Sequence, residues 1–306
     1  MLIGAHWEAS LLFRTMAESD LDLILTCLSE PSVNTTTEAR FREHLAARSY
    51  RPEWTWLAFD GDALAGLAVW WGFPAGDRPL ALDALWAAPA VADPVPLWAG
   101  LIRQVPPPVE YHIFTTPDSR DDPGIDLRLR AAAEAGLKNL NERFRYEWTS
   151  ASPLPERSTR LAFAPATDEE FADAFERISA GSLDVAMRAG VARQGARAQA
   201  LADLEDYKMM PGPREWWRLA HDSERNLVGA ALPSANAGGP VVGYVGVVPE
   251  QRGHGYAADL LAEITWMLAA EGATVIRADT DSTNTPMVAT FERQGYRRFA
   301  LRLVAC

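Results

Sequence analysis

The sequence has few cysteines and a deficit of basic residues. Two of its 306 residues are cysteines, Cys27 and Cys306, and they lack the spacing of metal ligands. We therefore expect no disulfide framework and no metal site, and a protein of the reducing cytoplasm. The net charge of -12 comes from 29 basic and 41 acidic residues. Such a chain lacks the clustered lysine and arginine of a nucleic-acid-binding surface, and it is better suited to a cationic small molecule.

Long apolar runs are also absent. No run approaches the ~18 residues that a membrane-spanning helix needs, and the first residues lack the basic start and apolar core of a signal peptide. We expect no membrane partner and a cytoplasmic location. The composition, 48% hydrophobic and 23% charged, is typical of globular proteins. The length exceeds that of one ordinary core and predicts two domains.

The two halves of the sequence repeat one order of predicted strands and helices at an offset of about 160 residues. Pro89 in the first half corresponds to Pro249 in the second. Between the halves, residues 150–158 read SASPLPERS, a small, polar and proline-containing stretch that is typical of a boundary loop. We predict an internally duplicated α/β protein with domains over residues 1–150 and 158–306.

The most distinctive stretch is Arg-Gly-His-Gly-Tyr-Ala at residues 252–257, between a β-branched strand and an amphipathic helix that ends near Gly272. Glycines at a helix N-terminus let unpaired backbone amides surround an anion. The pattern therefore predicts a phosphate or pyrophosphate site, with Arg252 and His254 as additional side-chain donors. It has neither the Gly-Lys-Ser/Thr of a Walker loop nor the three-glycine spacing of a dinucleotide fingerprint.

This loop resembles the Arg/Gln-x-x-Gly-x-Gly/Ala motif of the GNAT acyltransferase superfamily. Residues 284–296 are similar to the family's downstream signature, which has Asn, then a small residue or Met, then an aromatic residue and a final Gly-Phe/Tyr. The resemblance is strong over roughly residues 160–306 and weak over the first half. It implies two tandem GNAT-like domains, each a mixed, mostly antiparallel sheet flanked by helices, with a degenerate first copy.

The resemblance also implies acetyl-coenzyme A as co-substrate. In the family the loop amides hold its pyrophosphate, and the preceding strand pairs with the pantetheine arm and offers an N–H to the thioester carbonyl. The residues so implied are Val245, Val247, Val248, Arg252, Gly253, His254, Gly255, Tyr256, Ala257, Asn284, Met287 and Phe291. From the residues alone, Asn284 fits either a contact to pantetheine or a local turn, and Met287 fits either the cofactor or the core.

A thioester is already activated, so direct attack by a neutral amine in a ternary complex is the expected chemistry. The sequence shows no Ser-His-Asp or Cys-His pattern that indicates a covalent intermediate. Many family members have a tyrosine where Phe291 stands, and it acts as general acid there; phenylalanine donates no proton. The candidate acid and base groups are therefore Tyr244, Asp279 and Asp281, with His221 as a further one.

The first half has no comparable loop, because residues 92–97 read ADPVPL, where prolines replace amide donors and Asp93 adds a negative charge. We expect this half to be structural. The sequence thus predicts an acetyl-coenzyme A-dependent N-acetyltransferase acting on a small primary amine, as a monomer or a homodimer. A protein N-terminus or lysine as acceptor, and a non-catalytic acyl-coenzyme A sensor, stay open as alternatives.

Overall fold

A computed structural model describes residues 11–28, 36–236 and 238–306. The chain divides into two compact units: the first holds the residues up to Glu142 together with Leu301–Cys306, and the second holds Arg143–Ala300. Within the described ranges no helix is long and apolar enough to span a membrane. The same ranges contain no group of three or more His, Cys, Asp or Glu side chains placed to hold a metal ion.

The first unit is a sheet with helices on both faces. Its elements are β1 (Leu11–Thr15), α1 (Leu21–Cys27), α2 (Glu38–Ala46), β2 (Thr55–Asp60), β3 (Ala63–Trp71), β4 (Ala81–Ala87), α3 (Val95–Ile102), β5 (Glu110–Thr115) and α4 (Pro123–Glu134), with 3₁₀ turns at Glu18–Asp20, Pro52–Trp54 and Pro117–Ser119. The strands lie in chain order and pair antiparallel, except that β4 and β5 are parallel. One core lies against α1 and α2 and another against α3 and α4.

The second unit repeats this arrangement with one helix more. Its elements are β6 (Leu140–Thr149), β7 (Ala162–Ala164), α5 (Asp168–Ser179), α6 (Val185–Gln194), α7 (Ala196–Met209), β8 (Arg218–His221), β9 (Leu227–Asn236), β10 (Gly239–Val247), α8 (Tyr256–Ala270), β11 (Val275–Asp281), α9 (Thr285–Arg293) and β12 (Arg297–Ala305), with 3₁₀ turns at Arg214–Trp216 and Pro249–Gln251. Strands β7 to β10 pair antiparallel in chain order, and β10 and β11 are parallel. The repeated order agrees with the predicted duplication.

Most of the last strand of each half lies in the unit of the other half: β6 from Arg143 onward in the second unit, and β12 from Leu301 onward in the first. Strand β6 pairs antiparallel with β11, from Arg143↔Asp281 to Thr149↔Val275. The end of β12 pairs antiparallel with β5, from Leu301↔Thr115 to Ala305↔Tyr111. The boundaries predicted at residues 150 and 158 follow chain order and therefore assign both strands to their own halves. Pairing between residues so far apart in sequence leaves no local signal at the boundary.

Helix α8 shows how the local sequence places the loop before it. Gly255 precedes the helix in the left-handed conformation (φ +78°), and Gly272 follows it at φ +90°. A residue with a Cβ is strained at such angles, so both glycines fix a helix end. The predicted apolar face is buried, with 0–1% exposure at Leu260, Leu261, Ile264 and Leu268. Burying a leucine side chain stabilises the fold by about 2 kcal/mol, so these residues hold the start of α8 against the sheet.

The strand exchange makes a prediction about where stability is lost. Leu303 is 0% exposed in the core of the first unit. We expect Leu303→Ala to cost about 2–4 kcal/mol in the free energy of unfolding and to lower amide protection in peptides from residues 36–142. Denaturant unfolding and hydrogen exchange measure both effects. Leu201→Ala, at a leucine 43% exposed on α7, should change little. Loss of protection chiefly in residues 143–300 would contradict this assignment of β12.

Candidate functional site

Strands β10 and β11 pair at a single register position and then separate. The parallel pair is Val241↔Arg277, and a bulge between Val242 and Tyr244 bends β10 within its pairing to β9. The Val248 amide donates to the Val228 carbonyl of β9 at 2.9 Å. Because bonding directions alternate along a strand, the amides of Val245 and Val247 face away from β9, toward the edge that β11 has left.

The strand edge leads directly into the glycine loop. After the 3₁₀ turn, Gly253 and Gly255 have φ of +84° and +78°. In the described parts of the chain, no acceptor is bonded to the amides of Gly253, His254 or Gly255. Tyr256 and Ala257 open α8, so their amides lack helical partners as well. The loop and the helix start together present the consecutive unpaired N–H groups of an anion site.

Arg252 has a different role from the predicted one. Its guanidinium donates to four backbone carbonyls: Ile178 at 2.7 Å, Ala180 at 2.8 Å, Gly181 at 3.1 Å and Val247 at 3.1 Å. Three of these carbonyls lie at the C-terminal end of α5, where positive charge is favourable. Since most of its N–H groups are engaged, the side chain is not available as a phosphate donor. It ties the loop to α5 and to the end of β10.

A basic residue that the sequence analysis did not identify lies at the loop. Arg160 donates to the His254 carbonyl at 3.0 Å, pairs with Asp259 at 2.5 Å and lies 4.5 Å above the Tyr256 ring. His254 is exposed, and its Nδ1 lies 3.2 Å from the Gln251 carbonyl. Arg160 precedes β7, about 95 residues before the loop, and no local motif marks it. Its position is fixed only by tertiary packing.

Helix α9 starts directly after Asn284. Asn284 is the N-cap, and its Oδ1 accepts from the Met287 amide at 3.4 Å. In the described chain the Asn284 Nδ2 group has no partner, so the residue caps the helix and still has two N–H groups to donate. Met287 is half-buried against the core of this unit. The two readings of Asn284 are therefore compatible.

Phe291 lies in the core and not at an open surface. It is 2% exposed, and its ring stacks on Tyr146 of β6 with centroids 5.0 Å apart. The Tyr146 hydroxyl donates to Glu292 at 3.5 Å. Burial and the Glu292 charge raise the pKa of Tyr146 to about 12. Neither ring is a ready proton donor at neutral pH.

Asp279 and Asp281 are held by a buried arginine. Arg143 of β6 donates to Asp279 at 3.0 Å, to Asp281 at 2.6 Å and to Asp184 at 3.1 Å. Burial lowers the pKa of Arg143, but the three carboxylates more than offset this and raise it above its ordinary value. Asp281 is 0% exposed, and its second oxygen accepts from the Val185 amide at 2.6 Å. These contacts give Asp281 a structural role, which argues against the predicted acid–base role.

Tyr244 belongs to an acidic aromatic cluster with Asp184, Asp203 and Tyr207. The Tyr207 and Tyr244 ring centroids are 5.6 Å apart, and Asp203 lies one helical turn before Tyr207 on α7. Burial, followed by the charges of Asp203 and Asp184, raises the pKa of Tyr244 above its ordinary value. Tyr244 is therefore neutral and a poor base.

Asp203 is a carboxylate of this cluster that the sequence analysis did not identify. Its Oδ1 accepts from Gln199 at 2.7 Å, and its buried Oδ2 has no partner in the described chain. Burial is the main cause that raises the pKa of Asp203 to about 6, with Asp206 and Asp184 adding to it and Gln199 opposing it. A carboxylate with such a pKa accepts a proton near neutral pH. His221, by contrast, lies on β8, two strands from β10.

Residues 188–296 match the model of the acetyltransferase (GNAT) family. The match covers both signatures, and it confirms the predicted recognition and the predicted class, a GNAT-type acetyltransferase. No curated protein matches the sequence significantly.

Solved structures of GNAT proteins match nearly the whole chain. A GCN5-related N-acetyltransferase from Sphaerobacter thermophilus is 18% identical, with a TM-score of 0.60 over 96% of this chain and 94% of that one. A tandem GNAT protein from the clavulanic acid biosynthesis pathway is 17% identical, with a TM-score of 0.57 over 96% and 98%. At these identities the likeness concerns the fold alone. It confirms two tandem GNAT-like domains.

The contacts of Arg252 in the GNAT domain predict a large effect of its removal. We expect Arg252→Gln to lower the free energy of unfolding by about 2–3 kcal/mol, because four backbone carbonyls lose a charged donor. The matched control is Arg177→Gln, which removes an exposed pair with Glu250 and should cost less than about 1 kcal/mol. Thermal and denaturant unfolding compare the two variants. Equal losses would contradict the anchoring role.

Proposed function

We propose that the second unit transfers the acetyl group of acetyl-coenzyme A directly to a primary amine of a small, cationic molecule. One observation carries this proposal. The unpaired edge of β10 runs without interruption into the unpaired amides of residues 253–257. An extended acyl-pantetheine arm and a pyrophosphate need such donors in this order, since one pairs as a strand and the other binds at a helix N-terminus.

The residues present fit acetyl-coenzyme A. Amides of the glycine loop would hold the pyrophosphate, the Val245 and Val247 amides would face the arm, and Asn284 Nδ2 would donate to it. Val248 is excluded as an amide donor, because its N–H is bonded within the sheet. Arg252 supports the loop through its side chain, and Phe291 contributes to the core behind it.

The chemistry supplied by the bound thioester is an activated acyl group. The amine nitrogen forms a bond to the carbonyl carbon, the carbon–sulfur bond breaks, the sulfur leaves as thiolate, and the amine loses a proton. A backbone N–H of β10 would stabilise the developing oxyanion, an effect of about 3 kcal/mol at comparable sites. Phe291 donates no proton, so the thiolate would be protonated from solvent.

Asp203 is the group that we propose as base. Its negative neighbours, Asp184 and Asp206, favour a cationic acceptor, and its unpartnered Oδ2 is a free lone-pair donor. Tyr207 and Tyr244 give the amine an aromatic environment beside that carboxylate. A general base is most effective when its pKa lies near the working pH.

A phenylalanine stands at position 291, where many family members have a tyrosine that acts as general acid. This difference favours a second function, a non-catalytic acyl-coenzyme A-binding module. That module would bind acetyl-coenzyme A through the same loop and would not turn it over with any amine. The two functions therefore share the binding prediction below and differ in the activity prediction that follows it.

The first prediction from this proposed function concerns binding of acetyl-coenzyme A. We expect Gly255→Ala to weaken one-to-one binding about tenfold or more in calorimetric titration. A Cβ at φ +78° forces the loop amides out of alignment. The matched control is Gly272→Ala, at a glycine with φ +90° on the opposite end of α8. It carries a similar strain of about 1–2 kcal/mol and should leave the affinity unchanged. Equal loss in both variants, or no binding by the wild type, would overturn the cofactor site.

The second prediction concerns Asp203. With an amine that the enzyme accepts, kcat/KM should rise with pH through about 6 as Asp203 loses its proton. Asp203→Asn should lower kcat by about 100-fold and remove that limb of the profile. Asp206→Asn, on the exposed side of α7, is the control and should keep the limb. An unchanged profile in Asp203→Asn would refute the role as base.

Ionisation of the same carboxylate should lower the stability of the fold, whereas it raises the activity. Its pKa in the folded state, about 6, is above the ordinary value of 3.8, so its contribution is present below about pH 4 and is lost as the pH rises through 6. Near pH 8 the buried charge costs up to about 3 kcal/mol. We expect Asp203→Asn to be more stable than the wild type at pH 8 and not at pH 4, measured by denaturant unfolding.

A further inference from the structure

The first unit contains a cleft that the transfer reaction does not use. It has a volume of about 300 Å³ and lies between the end of β4 and the starts of α3 and α4. This volume is at the lower end of the range for small-molecule sites. The residues that line it include Trp86, Ala88, Val91, Trp98, Asp122 and Arg128.

The cleft arises from the same strand separation as in the second unit. Strands β4 and β5 pair only at Ala81↔Glu110 and Leu82↔Tyr111, and then part. The loop that follows β4 offers fewer free donors than the glycine loop, however. Pro94 has no N–H, and the Val95 amide donates to Asp93 at 3.1 Å. The opening is kept, while the amides that a pyrophosphate needs are absent from these positions.

Arg128 brings a buried positive charge to this cleft. It is 6% exposed, donates to the Gly124 carbonyl at 3.0 Å and the Leu85 carbonyl at 3.2 Å, and lies 4.5 Å above the Trp98 ring. Its Nε has no hydrogen-bond partner in the described chain. No carboxylate oxygen of the described residues lies within 4.0 Å of the guanidinium. Buried charges are normally paired, so this one lacks an expected anion.

The neighbours of Arg128 do not supply that anion. Asp122 also lines the cleft, but it is exposed and its Oδ1 caps α4 by accepting from the Gly124 amide at 2.7 Å. Burial raises the pKa of Tyr111 to about 12, although the charge of Arg128 and a hydrogen bond from its side chain to the Tyr111 hydroxyl work to lower it. Tyr111 is therefore a neutral hydroxyl at physiological pH. Arg128 therefore bonds to neutral groups and forms no ion pair with a described carboxylate.

A second buried donor at the same cleft also has no partner. Trp98 is 5% exposed, and its indole Nε1 makes no hydrogen bond in the described chain. The two unpartnered groups are both donors, so together they call for an acceptor with at least two lone pairs. The remaining lining is apolar or aromatic at Trp86, Ala88 and Val91.

We propose that this cleft binds a small organic carboxylate with an apolar, ring-sized body, and that Arg128 and Trp98 hold its carboxylate. A guanidinium matches a planar carboxylate in geometry and charge. A carboxylate carries a single negative charge, so Asp93 and Asp122 repel it less than they would repel a pyrophosphate. The first unit is thus a separate binding module whose ligand differs from acetyl-coenzyme A.

Benzoate and benzamide form a matched pair of probes for this site, because they share a ring and differ in charge. Calorimetric titration of the full chain should show benzoate binding with a dissociation constant of about 0.1–1 mM. Benzamide should bind at least about tenfold more weakly. Arg128→Gln should weaken benzoate binding by a similar factor, with its fold checked by thermal unfolding.

A second variant keeps the test decisive if Arg128→Gln does not fold. Ala88→Phe fills the cleft from its half-buried rim without touching Arg128, and it should abolish benzoate binding while acetyl-coenzyme A binding persists. The proposal is overturned if benzamide binds as well as benzoate, if Ala88→Phe binds benzoate like the wild type, or if acetyl-coenzyme A protects the amides of residues 85–98 from exchange and benzoate does not. Each result is independent of the transferase activity.

Discussion

The separation of two parallel strands is the constraint on which both units depend. Inside a sheet, backbone amides donate hydrogen bonds to the carbonyls of the neighbouring strands. Where β10 leaves β11 after Val241, the amides of Val245 and Val247 lose that neighbour but keep the rigid position that β9 gives them. A ligand can then complete the ladder at little conformational cost. The bulge after Val242 provides the change of direction that this requires.

An unpaired strand edge and an unpaired helix start have to be held open by other contacts, and arginines serve that purpose in the second unit. Arg252 joins the loop to the C-terminal carbonyls of α5, where the helix dipole favours a cation. Arg143 joins the end of β11 to the start of α6 through Asp281 and Asp184. Because both guanidinium groups bond to several partners at once, each fixes a geometry that a single ion pair would leave loose. The site is therefore preorganised by residues that do not face the ligand.

Local sequence predicts those parts of the site whose geometry is local. Gly253 and Gly255 can be predicted from the sequence because positive φ selects glycine, and a local turn at Asn284 can be predicted because Asn often caps helices. Asp203, Arg160 and Tyr146 have no such signal. Arg160 and Tyr146 contact residues far away in the chain. Asp203 is set apart by its burial, and an acidic residue on a helix looks the same in sequence whether it is solvated or buried. The exchange of β6 and β12 is hidden for the same reason, since strand partners are set by tertiary pairing.

The two units show how one backbone opening can serve different chemistry. In the second unit the donors are main-chain amides spread over several residues, which suits a pyrophosphate because its charge is distributed over many oxygens. In the first unit the Val95 amide is bonded to Asp93, Pro94 and Pro96 have no N–H, and Arg128 and Trp98 add unpartnered side-chain donors. A guanidinium concentrates its N–H groups in one plane, so it selects one planar anion. Loss of the glycine loop therefore changes the kind of ligand that the opening can hold and does not by itself make the first unit inert.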